Sequence, residues 1–169
     1  MPLNEITCNP YLLYPLADCC TCGARYPIGY YDASSPAKAA VGDFYSNIAQ
    51  DLSSIVPVRF NGTTVVSGMV LDPTGSSVTL QKKALYRIHY ELTPAAGFSS
   101  DIPVYVTVNG VVLPQSIRQL PGNGSQVSAH FIYSGEPGDL VRLNVNSAGT
   151  VSLAPGSNVN TMLNITEVL

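Results

Sequence analysis

The chain has 169 residues and a mass of 17.9 kDa, which suits one domain with a short extension. Only 11% of the residues are charged, against about 25% in typical domains, and 46% are hydrophobic, so the composition excludes an intrinsically disordered chain. The net charge of −3, with no basic cluster larger than Lys82–Lys83, argues against nucleic-acid binding, and no apolar stretch approaches the ~20 residues of a membrane span.

Residues 1–35 are rich in proline and tyrosine and follow neither the helical nor the strand period, which predicts an extended arm held in place by a partner. No basic segment followed by an apolar core opens the chain, so we expect no secretory signal. The arm contains all four cysteines, and three roles remain open for them: metal ligands, reduced apolar thiols, or an interchain disulfide. As metal ligands they are weak candidates, because zinc sites prefer two separated Cys pairs; the four are Cys8, Cys19, Cys20 and Cys22.

Residues 36–56 are predicted to form a short amphipathic helix and a linker. Ser34 or Ser35 suits the N-cap, and Pro36 suits the first helical position. One apolar stripe recurs at helical spacing, and its members are Val41, Phe44, Tyr45, Ile48 and Leu52. The domain boundary is therefore placed near residue 57.

Residues 57–169 show the two-residue alternation of half-buried strands. Asn109-Gly110 between two valines predicts a tight hairpin, and further glycine and proline clusters mark turns. Many short strands without intervening helices predict an all-β antiparallel jelly-roll sandwich. Its core is predicted to contain Tyr86, Ile88, Tyr90, Val104, Val106, Phe131, Val141, Leu143 and Ile165.

Four segments resemble a known family, and the last of them is the closing stretch 151–166. The run 84–90 is similar to the G-x-Y-x-I/F strand of the tumour-necrosis-factor and complement-head jelly-roll superfamily, with Ala84 in place of the usual glycine. The run 106–114 resembles the V-N-G-x-x-x-P hairpin of its bacterial branch, which includes heads of spore-surface collagen-like glycoproteins and phage head-fibre or decoration proteins. The turn 135–139 also matches, whereas no collagen-like Gly-X-Y repeat precedes the head.

The resemblance, which covers roughly residues 57–169, implies a homotrimer of jelly rolls around a threefold axis. The low charge content favours the same conclusion independently, because a monomer of this size would carry more charge on its surface.

No pattern in the chain is typical of an enzyme, and we expect no cofactor. His89 and His130 lie on the polar faces of alternating strands, where surface or subunit-interface positions explain them. Arg87 and Glu91 are candidates to pair across one face or across a subunit boundary. The aspartates at turns are explained by backbone hydrogen bonding, with calcium binding as the alternative; they are Asp72, Asp101 and Asp139.

We therefore predict a structural virion protein, a trimeric head-fibre or capsid decoration protein of a bacteriophage whose arm anchors it to the capsid. Two alternatives remain open: a trimer on a spore or cell surface, and a receptor- or glycan-binding module that uses loops at the distal end of the trimer. The expected partners are two further copies of the chain, a capsid or other virion protein, and in the last case a host glycan or receptor.

Overall fold

The computed structural model describes residues 38–96 and 101–168. These residues form twelve strands and one short 3₁₀ turn, Pro114–Ser116. The strands are β1 (Val41–Ser46), β2 (Gln50–Pro57), β3 (Gly62–Ser67), β4 (Met69–Leu71), β5 (Val78–Leu80), β6 (Ala84–Leu92), β7 (Ile102–Val108), β8 (Val111–Val112), β9 (Arg118–Leu120), β10 (Val127–Gly135), β11 (Leu140–Leu153) and β12 (Thr161–Glu167).

The described strands pair into two antiparallel sheets. The first has five strands in the order β10-β6-β12-β1-β3. The second has seven, in the order β4-β5-β11-β7-β8, with β2 also pairing with β11 and β9 with β7. Most neighbours in the two sheets are distant in sequence, as in a jelly roll, so the predicted fold class is confirmed. None of the described residues forms a helix long and apolar enough to cross a membrane.

The hydrophobic core lies between the two sheets. All nine residues predicted for the core are buried, because every second residue of each strand points inward. Tyr90 is completely buried, and its hydroxyl lies 2.7 Å from the carbonyl oxygen of Ser116 and 3.1 Å from that of Val104. This polar contact lets a large aromatic ring fill the core without leaving its hydroxyl unpaired.

The hairpin predicted at Asn109-Gly110 is confirmed. Val108 pairs with Val111 across the turn, and the two turn residues have φ values of 52° and 82°. Two successive positive φ angles are typical of the type I′ turn, whose twist matches that of the strands it joins.

The helix predicted within residues 36–56 is wrong over its described part, which forms β1 and β2. Of the apolar stripe, only Phe44 and Leu52 are buried, so the helical spacing did not correspond to one buried face. Glycine is required at position 42 of β1, because a Cβ there would clash with the sulfur of Met69 and with the Phe44 ring. Glycine inside a strand often marks such a close approach.

The predicted boundary near residue 57 also changes, because β1 lies inside the five-stranded sheet between β12 and β3. The sandwich therefore begins at Val41 rather than after Pro57. The predicted arm, residues 1–35, and its four cysteines lie outside the described residues.

Candidate interaction surface

We call the outward face of the five-stranded sheet the five-stranded face. It contains the histidines and the charged pair that the sequence analysis identified as candidates. On β6 the buried residues alternate with outward ones, which are Leu85, Arg87, His89 and Glu91. The register then aligns polar side chains in one row across the sheet. His130 lies opposite His89, Asn164 lies opposite His89 on the other side, and Asp43 lies opposite Asn164.

An apolar cluster borders this polar row. Leu85 and Ile132 are about half exposed, at 51% and 49%, and Val168 is 37% exposed. The amide of Val168 donates a 2.8 Å hydrogen bond to the carbonyl of Leu85, so these two residues lie side by side. Ile132 is the diagonal neighbour of Leu85, because Ser134 is its direct partner. Three large apolar side chains thus share one end of the face.

A groove of about 710 Å³ lies between the apolar cluster and the polar row. Its lining combines one guanidinium, two imidazoles, one carboxamide and one apolar side chain: Arg87, His89, His130, Asn164 and Ile132. No carboxylate lines it among the residues that the structure describes. The groove therefore offers hydrogen-bond donors and positive charge to whatever binds there.

The expected pair between Arg87 and Glu91 does not form within the chain. Residues four apart on one strand are separated by about 13 Å, too far for a direct contact. Glu91 instead accepts a 2.7 Å hydrogen bond from Gln126 Nε2, and its other carboxylate oxygen lies 3.5 Å from His89 Nε2. The remaining ion pairs among residues 38–96 and 101–168 are Lys82–Glu167 and Lys83–Glu136, so Arg87 belongs to none.

The structure brings the two predicted histidines together as direct cross-strand neighbours. Sequence reasoning placed His89 and His130 on the polar faces of their strands but missed their pairing, because register between distant strands is set by the whole sheet. No group of three or more His, Cys, Asp or Glu residues able to hold a metal ion occurs within the described part of the chain. The cysteine candidates lie outside that part.

The aspartates predicted at turns do bond the backbone. Burial would raise the pKa of Asp72, but hydrogen bonds from Thr74, Ser77 and Ser76 outweigh it and lower that pKa. The Ser76 amide lies 2.7 Å and the Ser77 amide 3.1 Å from the same carboxylate oxygen. Asp101 accepts a 3.0 Å bond from the amide of Gly122. Turn geometry therefore explains these carboxylates without a calcium ion.

Asp139 does more than close its own turn. Its carboxylate accepts hydrogen bonds from the Glu136 amide at 2.8 Å, the Tyr133 hydroxyl at 2.8 Å and the Asn109 side-chain amide at 2.7 Å. Burial would raise the pKa of Asp139, but these three hydrogen bonds lower it. For Tyr133, burial and then the Asp139 carboxylate raise the pKa to about 12. The carboxylate thus joins β10, its following turn and the β7–β8 hairpin.

A second concave region surrounds Arg59. Two adjoining grooves of about 530 and 500 Å³ share Ile48, Arg59 and Thr74 in their linings. The side chain of Gln50 fixes the backbone of Arg59: Oε1 accepts from the Arg59 amide and Nε2 donates to the Arg59 carbonyl, both at 2.8 Å. The backbone of the exposed Arg59 is therefore fixed by hydrogen bonds between the two grooves.

Comparison with known proteins identifies the fold. No protein-family model and no curated protein sequence matches the chain. Among solved structures, murine APRIL is similar with a TM-score of 0.60 at 12% identity, over 78% of this chain and 100% of that one. The globular domain of zebrafish complement 1qA protein gives 0.59 at 10% identity, over 77% and 98%. Eiger TNF from S. frugiperda gives 0.59 at 13% identity, over 78% and 93%. These likenesses show that the chain has the jelly-roll fold of tumour-necrosis-factor and complement head domains.

Proposed function

We propose that the chain is a non-enzymatic structural head that self-associates as a homotrimer through the five-stranded face. The observation that carries this proposal is the apolar cluster of Leu85, Ile132 and Val168 beside a cationic groove on one regular sheet surface. Exposed apolar clusters rimmed by polar groups are typical of protein interfaces. The low charge content of the chain and the fold it shares with head domains support the same reading.

Analytical ultracentrifugation of the full chain tests the assembly. We expect a species of three chain masses at micromolar concentration, and a stable monomer would overturn the proposal. Ile132→Gln should weaken the trimer, because it places a polar group in the apolar cluster without giving Arg87, its direct cross-strand neighbour, an acid to pair with. Val70→Gln is the matched control, since Val70 on the seven-stranded sheet is 47% exposed against 49% for Ile132. Dissociation by the control alone would place the interface on the other sheet.

We further propose that the trimer decorates a bacteriophage capsid, with residues 1–35 as the anchor. The hairpin 106–114, which resembles that of phage head proteins, supports this role, as does the composition of the arm. Tyrosine offers a large contact area at low entropic cost, and proline keeps a chain extended, so the arm suits binding along a partner surface. The four cysteines would then strengthen the anchor by disulfide or metal bonds.

Mass spectrometry of purified virions tests this location, and it also separates it from the spore- or cell-surface alternative. Deleting residues 1–35 should abolish attachment to the particle and leave the head folded, because β1 to β12 all lie beyond the deletion. Replacing the four cysteines with serine should weaken attachment without lowering the melting temperature of the head. Full occupancy by the deleted protein would place the anchor elsewhere.

A second candidate function is ligand binding at the grooves around Arg59. Their lining mixes apolar side chains with hydroxyls and the guanidinium of Arg59, a combination that suits a saccharide. A glycan array with the full chain would test this, with Arg59→Ala as the comparison. Retention of every array signal by Arg59→Ala would exclude these grooves as the binding site.

A further inference from the structure

Arg87 is a cation without a partner on the proposed interface. It is exposed on β6 and takes part in no ion pair within the part of the chain that the structure describes. Its neighbours in the groove are His89, His130 and Asn164, none of which is an acid. A guanidinium that loses its water in an interface without meeting a carboxylate strongly opposes association. An anionic group opposite Arg87 would remove this cost and would favour association through this face.

Among the described residues, two carboxylates lie on the same face, and one of them has an oxygen without a hydrogen-bond partner there. Glu91 is engaged on both oxygens, by Gln126 and His89. Asp43 accepts a hydrogen bond from the Thr64 hydroxyl through Oδ2. Its Oδ1 has no partner among residues 38–96 and 101–168, and no cation pairs with it there. Asp43 is thus the carboxylate best able to accept a further charged donor.

The two groups are separated on the sheet. Arg87 is on β6 and Asp43 is on β1, and β12 lies between these strands. Two strand spacings, about 10 Å, therefore separate β6 from β1. The described part of one chain contains no ion pair between them, so a contact that satisfies both charges joins two copies of the chain. Each copy presents a cation on one side of the face and an anion on the other, and such complementary sides suit the head-to-tail contacts of a ring.

We infer that Arg87 of one copy forms an ion pair with Asp43 of its neighbour in the assembly. The inference rests on the proposed self-association and names the contact that specifies it. In a trimer, each copy contributes Arg87 to one neighbour and Asp43 to the other. The planar guanidinium suits a carboxylate better than a lysine would, because it donates two parallel hydrogen bonds.

A charge exchange in the full chain tests this pair. Arg87→Glu and Asp43→Arg should each weaken association roughly 100-fold, because each places like charges opposite one another. The double variant restores one acid opposite one base, and it should recover association to within about 10-fold of the original chain. Arg142→Glu on the outward face of β11 is the matched control and should leave association unchanged.

The outcomes separate the two proposals. A monomeric original chain overturns the self-association and the ion pair together. A trimeric original chain with no recovery in the double variant overturns the ion pair alone. If circular dichroism shows that Asp43→Arg does not fold, the milder pair Arg87→Gln and Asp43→Asn replaces it. The two single variants and their double variant then form a double-mutant cycle. Losses of association free energy that do not add up in this cycle support the ion pair, and additive losses contradict it.

Discussion

Asp139 offers a direct test of how one carboxylate holds three segments together. Asp139→Ala would remove the acceptor of the Glu136 amide, the Tyr133 hydroxyl and the Asn109 side-chain amide. Hydrogen bonds to a charged group contribute about 1.5–3 kcal/mol each, but donors that regain water lose less than this. Asn109 is exposed and Tyr133 is only partly buried, so water can replace most of those two bonds. We therefore expect a loss of about 2–3 kcal/mol in the free energy of unfolding.

The pH dependence follows from the lowered pKa of Asp139. Because the folded-state pKa lies below the unfolded value, the carboxylate stabilises the fold above pH ~4 and loses this effect as pH falls through the folded pKa. The difference between the original chain and Asp139→Ala should therefore be largest at pH 7 and should shrink toward pH 3.

Urea denaturation at both pH values measures these differences, at one protein concentration because self-association would shift the midpoint. Asp101→Ala is the comparison, since Asp101 is exposed and accepts one hydrogen bond within the described residues, at 3.0 Å from the amide of Gly122. It should change the free energy of unfolding by no more than ~0.5 kcal/mol. A loss below ~0.5 kcal/mol for Asp139→Ala, or one that does not depend on pH, would refute the role given to its carboxylate.

Two further substitutions test the core. Burial raises the pKa of Tyr90 to about 12, although Arg118 acts in the opposite direction, so its contribution to stability is present below pH ~10 and is lost as pH rises toward 12. Tyr90→Phe should cost ~1 kcal/mol at pH 7 and reduce the alkaline loss of stability, both measurable by urea denaturation, and an unchanged alkaline profile would contradict this assignment. Phe131→Ala should lower the free energy of unfolding by ~3–5 kcal/mol, because Phe131 is only 7% exposed. Val70→Ala, at an exposed position, should cost far less, and equal losses in the two variants would show that Phe131 is not a core residue.

Alternation made most of the strands predictable. In β6 the residues Tyr86, Ile88 and Tyr90 face inward and are buried, and the polar residues between them face outward. Such a period is a local property that follows from the geometry of a strand, so one sequence is enough to identify it. The Asn109-Gly110 turn was predictable for a similar reason, because its two positive φ angles restrict which residues fit.

The first two strands were not predictable in this way, because their apolar residues match helical spacing although the segment is buried as a strand. Val41, Phe44 and Tyr45 match helical spacing, yet Phe44 is buried between the half-buried Val41 and Tyr45. Ser54 in β2 has a φ of 61°, an irregularity opposite the register shift between Ser147 and Thr150. Here contacts with β12, β3 and β11 decide the structure, and none of them is local in sequence.

The polar row of the candidate site also depends on contacts that are not local in sequence. That His89 faces outward follows from its strand alone, whereas its position between His130 and Asn164 depends on the pairing of three distant strands. The shortage of charge suggested that some surface is buried between subunits, but it did not indicate which sheet. Locating Arg87 and Asp43 on the same face required the completed topology.

Two adjacent residues of β10 have different roles, because one faces the core and the other faces the proposed interface. Phe131 points into the core, and Ile132 points out of the five-stranded face. Truncating Phe131 removes contacts within one chain, so its main effect should be on the free energy of unfolding. An uncharged polar side chain at position 132 meets water in the monomer and an apolar cluster only in the assembly, so its main effect should be on association. The opposite result would be that the change at Phe131 mainly weakens association and the change at Ile132 mainly lowers the free energy of unfolding. Because one peptide bond separates the two residues, local distortion of the strand could not explain that result. It would mean instead that the five-stranded face is not the surface on which the copies meet.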